Sequence, residues 1–107
     1  MEEFTKRERG QLRRLASAVY EAEAHTLLEE LDSSFEQWRN GGVLSSELLQ
    51  TIHEFHQYQS RELWSAYQAL RDPEIVARGL ARGLLPESEV APALLAKLAP
   101  SVIGFNR

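Results

Sequence analysis

The sequence has no cysteine, so disulfide bonds, thiolate metal sites and cysteine nucleophiles are excluded. This absence fits a reducing compartment. No apolar run approaches the roughly 20 residues that a membrane-spanning helix needs. The charged start, from Met1 to Lys6, lacks the apolar segment of a signal peptide. We therefore expect a cytoplasmic protein without a membrane-spanning segment.

Glycine and proline are scarce, with six and four residues in a chain of 107. Together with 43% hydrophobic residues, this composition is typical of a globular chain. The length favours one domain over residues 1–107. A net charge of −4 makes a nucleic-acid binder unlikely by composition, because such domains are usually basic. Signatures of phosphate loops, nucleophile elbows and His-Glu-x-x-His zinc sites are also missing.

The patterning predicts an all-α fold, beginning with a long helix over about residues 4–40. Good helix formers dominate this segment, and Gly41-Gly42 ends it, since a C′ glycine adopts the left-handed conformation at little cost. The apolar face changes near Ala22 to Ala24, so the first turns should contact a different surface. The later helical stripe is formed by Leu28, Leu31, Phe35 and Trp38.

Three further helices are predicted after the glycine pair. Asp72-Pro73 marks one helix start, because proline is favoured at the first helical position. The repeat Ala-Arg-Gly-Leu over residues 77–84 spaces two glycines four residues apart, which indicates close helix packing. The predicted segments are a second helix over about 46–71, short helices over about 73–84 and 89–98, and a tail over 100–107.

Two long helices joined by a short glycine link predict an antiparallel helical hairpin. Such a pair leaves apolar surface on its free sides. The short C-terminal helices can cover part of that surface. A second copy could cover the rest, which would give a four-helix bundle, and we expect a homodimer for this reason.

The histidines form the one predicted cluster that could bind a metal or transfer a proton. His53 and His56 are three residues apart and share a helix face, with His56 expected in the apolar stripe. In a hairpin folded at the glycine pair, positions whose numbers sum to about 85 face each other. Carboxylates of the first helix would then lie opposite. The candidate metal ligands are His53, His56, His25, Asp32 and Glu29.

Imidazole and carboxylate groups on facing helices bind divalent metals such as zinc, iron or manganese. The Glu-x-x-His motif of ferritin-like proteins is absent, because Ala22, Gln50 and His53 precede the three histidines by three residues. The other interpretation makes His56 a partly buried core residue that is hydrogen-bonded across the hairpin. The pattern favours this second interpretation, so we expect no cofactor and keep a divalent metal as the alternative.

For the other polar and aromatic features, the pattern favours a structural interpretation over a functional one. A basic patch of Lys6, Arg7, Arg9, Arg13 and Arg14 could bind nucleic acid or an acidic partner. Nearby glutamates make a solvated helix face the better interpretation. Arg61 could hold an anion beside the histidines, although a helix-face ion pair is more common. The aromatic residues Trp38, Tyr58, Trp64 and Tyr67 are more typical of a core or interface than of a ligand stack.

Part of the chain resembles a group of small bacterial helical proteins that carry an Ile-His-x-Phe-His and Arg-Glu-Leu pattern. The matching positions are Phe35, Trp38, Gly41, Glu47-Leu48, Ile52-His53-Glu54-Phe55-His56, Arg61-Glu62-Leu63-Trp64 and Tyr67, about a third of the chain. The resemblance implies a helical fold and a bacterial origin, and it implies no activity. From the residues we expect a non-enzymatic, self-associating interaction module, with a possible protein partner. The alternative is a metal-binding protein or metal-dependent enzyme, so whether the chain is an enzyme stays open.

Overall fold

The structure is a computed structural model that describes residues 3–106. Helices account for 82% of it and no described residue lies in a strand, so the all-α prediction is confirmed. Met1, Glu2 and Arg107, which the predicted domain and tail include, lie outside the described residues. The elements are α1 Lys6–Arg39, α2 Ser45–Glu54, a π-helical turn Phe55–Gln59, α3 Ser60–Gln68, α4 Asp72–Ala81, a 3-10 turn Glu87–Glu89 and α5 Pro92–Phe105. Within residues 3–106, no helix combines the length and apolarity needed to cross a membrane.

The helices form two compact units, which the single predicted domain does not distinguish. The terminal unit contains the described residues up to Ala22 and those from Leu70 onward. The hairpin unit contains Glu23–Ala69. The boundary coincides with the change of apolar face predicted near Ala22 to Ala24, because the two halves of α1 bury different stripes.

The terminal unit begins with a reciprocal cap on α1. The Glu8 backbone N–H donates to Thr5 Oγ1 at 3.1 Å, and the Thr5 N–H donates to Glu8 Oε1 at 2.9 Å. Lys97 of α5 donates to the same Glu8 oxygen at 2.7 Å and to the Glu3 carbonyl at 2.9 Å. The Lys97 hydrogen bond, assisted by the Thr5 backbone, holds the pKa of Glu8 below its usual range.

Glycine allows α4 to approach α1 closely inside the terminal unit. A Cβ built on Gly79 would lie 2.5 and 2.7 Å from the two methyl carbons of Val19. The predicted close packing is therefore confirmed for Gly79. Gly83 has another role: its φ is +72°, and the Leu84 N–H beyond it donates to the Gly79 carbonyl at 2.8 Å. This C′ glycine ends α4 at Ala81, three residues before the predicted end.

The last helix differs from its prediction. The expected helix over 89–98 and the tail over 100–107 are replaced by one helix, Pro92–Phe105, with Pro100 inside it. Proline removes one backbone hydrogen bond but does not end this helix. Its apolar stripe explains the continuation, because the buried Leu98 is followed four residues later by the half-buried Val102.

In the hairpin unit, α1 runs antiparallel to α2 and α3. At the turn, Trp38 Nε1 donates to Ser45 Oγ at 2.9 Å, and Gly41 has the predicted left-handed conformation with φ +78°. At the far end, the Tyr67 hydroxyl donates to Glu23 Oε2 at 3.2 Å. These contacts hold the two helical arms of the hairpin in register at both ends.

The predicted second helix over 46–71 is divided by the π-helical turn, where the Ser60 N–H donates to the Phe55 carbonyl. Two apolar stripes meet here, one ending at Phe55 and the other beginning at Leu63. In an uninterrupted α-helix, eight residues would rotate the second stripe by about 80° from the first. The π turn takes up one extra residue and reduces that mismatch to about 20°. Both stripes therefore face α1.

Candidate interaction surface

The hairpin unit leaves much of its apolar surface in contact with solvent. Only Leu48 and Tyr67 are buried within it, whereas all other buried apolar side chains belong to the terminal unit. Large apolar side chains of the hairpin that are 40–67% exposed are Leu28, Trp38, Leu44, Leu49, Tyr58 and Trp64. Soluble chains seldom leave so many large apolar groups exposed together without a partner surface.

Helical rotation places three of these side chains on one face of the hairpin. At about 100° per residue, Leu28 lies about 60° from Leu31, Leu49 about 100° from Leu48, and Trp64 about 60° from Tyr67. All three rotations have the same sense. In two antiparallel helices, the same sense of rotation leads to the same face of the pair. We call the surface of Leu28, Leu49 and Trp64 the open face, and the half-buried Phe35 and Ile52 border it on the seam side.

The opposite face of the hairpin is different in character. It contains a cavity of about 130 Å³, large enough for only a few water molecules. More than half of its lining residues are polar, and its members are Leu27, Glu30, Leu31, Ser34, Thr51, Phe55 and Gln59. Three of the six large exposed apolar side chains of the hairpin therefore share the open face, and the cavity is too small for an organic ligand.

The two edges of the open face differ in charge. On α1, Asp32 and Glu36 lie about 100° and 140° from Leu31, and both are exposed. On the other helix, His53 lies about 140° from Leu48, and Arg61 about 120° once the π turn is counted, so both are on the outer edge, whereas His56 at about 80° lies within the open face. The α1 edge also carries Arg39 and His25, at about 80° and 120° from Leu31, so it is mixed in charge, whereas the other edge carries basic or protonatable groups.

The candidate metal ligands do not form a cluster. His25 Nε2 lies 2.9 Å from Glu29 Oε1, with side chains 67% and 68% exposed. His53, His56 and Asp32 are exposed, and none has a hydrogen bond or ion pair with a residue of the described range 3–106. Within that range, no three histidine, aspartate or glutamate side chains are placed to hold a metal ion together.

His56 lies outside the apolar stripe in which the sequence placed it. Ile52 and Phe55 occupy the inner positions and are half-buried, whereas the His56 side chain is exposed. At about 80° from Leu48, it lies on the open face between Ile52 and Leu49. The sequence predicts apolar surface on the free sides of the hairpin, but not which residues form the open face. The adjacent pair Leu48-Leu49 was its available signal, because two consecutive leucines cannot both point into one seam.

No protein-family model, curated protein or solved structure matches this chain. The interpretation of the open face therefore depends on its geometry and chemistry. An exposed apolar stripe with polar edges, on two helices that lie side by side, is the form of surface that packs against other helices.

Proposed function

We propose that this protein is a non-enzymatic, self-associating interaction module whose hairpin pairs with a second copy to form a four-helix bundle. The observation that carries the proposal is the exposure of Leu28, Leu49 and Trp64, which is 55%, 67% and 60%, on one face. Complete burial of such a side chain contributes about 1.5–3 kcal/mol. A two-fold dimer uses the same surface twice, so six large side chains would leave water.

Two-fold geometry supports a second copy as the occupant of the open face. A two-fold axis along the bundle puts α1 of one copy beside α2 and α3 of the other, with neighbouring helices antiparallel. Asp32 and Glu36 of one copy then lie beside the edge of the other copy that carries His53 and Arg61. Ser34 and Thr51 line one cavity together, as do Leu31 and Phe55. By this register, Asp32 lies level with His53, and the two would meet across the dimer.

The first test is the mass of the protein in solution, measured by sedimentation velocity over a range of concentrations. We expect the wild type to be dimeric and Leu49→Glu to be monomeric, because a carboxylate would be buried in the interface. Leu44→Glu is a matched control: Leu44 is also 67% exposed but precedes α2 and lies outside the open face. It should stay dimeric.

Two results would refute this proposal. One is a wild-type monomer at about 1 mM chain, because weaker association corresponds to less than about 4 kcal/mol. The other is equal dimerisation by Leu49→Glu and Leu44→Glu, which would place the interface elsewhere. Circular dichroism of each variant checks that helix content is unchanged.

A further inference from the structure

A second surface feature lies within the terminal unit. A cleft of about 510 Å³ opens where the start of α1, the start of α4 and the middle of α5 converge. This volume falls within the roughly 300–1,000 Å³ of small-molecule sites. Its apolar lining consists of Phe4, Leu12, Pro73 and Pro100, and its charged lining of Arg9, Arg13, Arg71, Asp72, Glu74 and Lys97.

Two of the cations in the cleft are already neutralised by carboxylates. Lys97 pairs with Glu8 at 2.7 Å, and Arg71 Nε lies 3.2 Å from Glu74 Oε1. These ion pairs connect α5 to α1 and brace the first turn of α4. They contribute to the walls of the cleft and leave little net charge for a ligand.

The other two cations, Arg9 and Arg13, are not paired with a carboxylate of the described residues. Arg9 Nη1 donates to the Phe4 carbonyl at 2.7 Å, a neutral acceptor that orients the guanidinium without compensating it. Arg13 has no hydrogen bond or ion pair with any residue from 3 to 106. Four residues apart on α1, the two guanidiniums lie on the same helix face, one turn from each other.

We infer that this cleft binds a small amphipathic anion, with an apolar body and a carboxylate or phosphate monoester head. The body would lie against the half-buried Phe4 and the exposed Pro100, above the buried Leu12. The head would bind Arg9 and Arg13, because the guanidinium fork matches both carboxylate and phosphate oxygens. Asp72 is the half-buried carboxylate of the cleft without a hydrogen bond to a described residue, and it opposes a second negative charge.

Isothermal titration of the full chain with octanoate, octyl phosphate and 1-octanol tests this inference. At least one of the two anions should bind. The neutral alcohol of the same length should have an affinity at least about tenfold lower. Arg13→Gln should weaken the anion about tenfold through loss of one charge-assisted hydrogen bond. Arg14→Gln is the matched control, since Arg14 is exposed on α1 but does not line the cleft, and it should bind as the wild type does.

Asp72→Asn gives a change of opposite sign. Removing the negative charge at the cleft should tighten the anion and leave 1-octanol unaffected. Equal binding of octanoate and 1-octanol would overturn the inference. So would equal affinities of Arg13→Gln and Arg14→Gln for the anions, because the ligand would then occupy another apolar surface.

Discussion

Replacement of Gly79 by alanine should destabilise the terminal unit although it improves helix propensity. The new Cβ would lie 2.5 and 2.7 Å from the Val19 methyl carbons, whereas carbon atoms in contact are normally about 3.5–4.0 Å apart. Val19 is fully buried, so its methyl groups cannot move out into solvent to relieve the contact. Overpacking of this kind costs about 1–3 kcal/mol, and alanine regains about 0.5–1 kcal/mol relative to glycine. These ranges leave a net loss of up to about 2.5 kcal/mol in the free energy of unfolding, and we expect about 1 kcal/mol.

Urea unfolding followed by circular dichroism, at one fixed chain concentration, measures this loss. Gly10→Ala is the control of opposite sign: the nearest atom to its new Cβ is Arg14 Nη1 at 3.9 Å, so only helix propensity changes. It should stabilise by about 0.5–1 kcal/mol. Adding Val19→Ala to Gly79→Ala should destabilise less than the sum of the single changes, since the added methyl fills the vacated space. A Gly79→Ala protein as stable as the wild type would refute the close-packing argument.

Two further predictions concern charge. The pKa of Glu8 is lowered in the folded state, so its carboxylate stabilises that state at pH values above the ordinary carboxyl pKa of about 4.3. This contribution to stability is lost as the pH falls through the lowered pKa. Wild-type stability, measured by urea midpoints, should therefore fall more steeply than that of Glu8→Gln on acidification, and parallel curves would contradict this. In the proposed dimer, Asp32→His should weaken association about two- to fivefold at a pH near about 6, and the exchange Asp32→His/His53→Asp should restore it. Sedimentation equilibrium measures both, and failure of the exchange to restore association would exclude that cross-dimer pair.

Helices, turns and close packing could be predicted because local rules determine them. Gly41 follows the last turn of α1, where a left-handed residue is required, and its φ of +78° agrees. Gly79 lies in a small-residue repeat, and it is the position where α4 meets Val19. These features depend on neighbours in sequence or on a repeat that is visible in the letters.

Features that depend on tertiary packing could not be predicted in the same way. Proline normally ends a helix, so the sequence predicts a stop at Pro100. The helix α5 nevertheless continues to Phe105, because its apolar residues extend beyond the proline. The π turn at Phe55–Gln59 is visible only once both stripes of the second helix face one seam. His56 is exposed because Ile52 and Phe55 already occupy the seam, which the stripe pattern alone does not decide. Among residues 3–106, it joins no group of three residues placed to hold a metal ion.

The width of the apolar stripes argues that the hairpin is one half of a larger core. On α1, the arc from Leu27 to Leu28 spans about 100°, and on α2 the arc from Phe55 to Leu49 spans about 120°. Contact with a single neighbouring helix needs a narrow seam, whereas a helix that meets two neighbours in a bundle carries a stripe of about 100° or more. Each helix of the hairpin has one such neighbour within Glu23–Ala69. The uncovered part of both arcs is the open face, with Leu49 at 67% exposure, and a second hairpin supplies the missing neighbour to both helices at once.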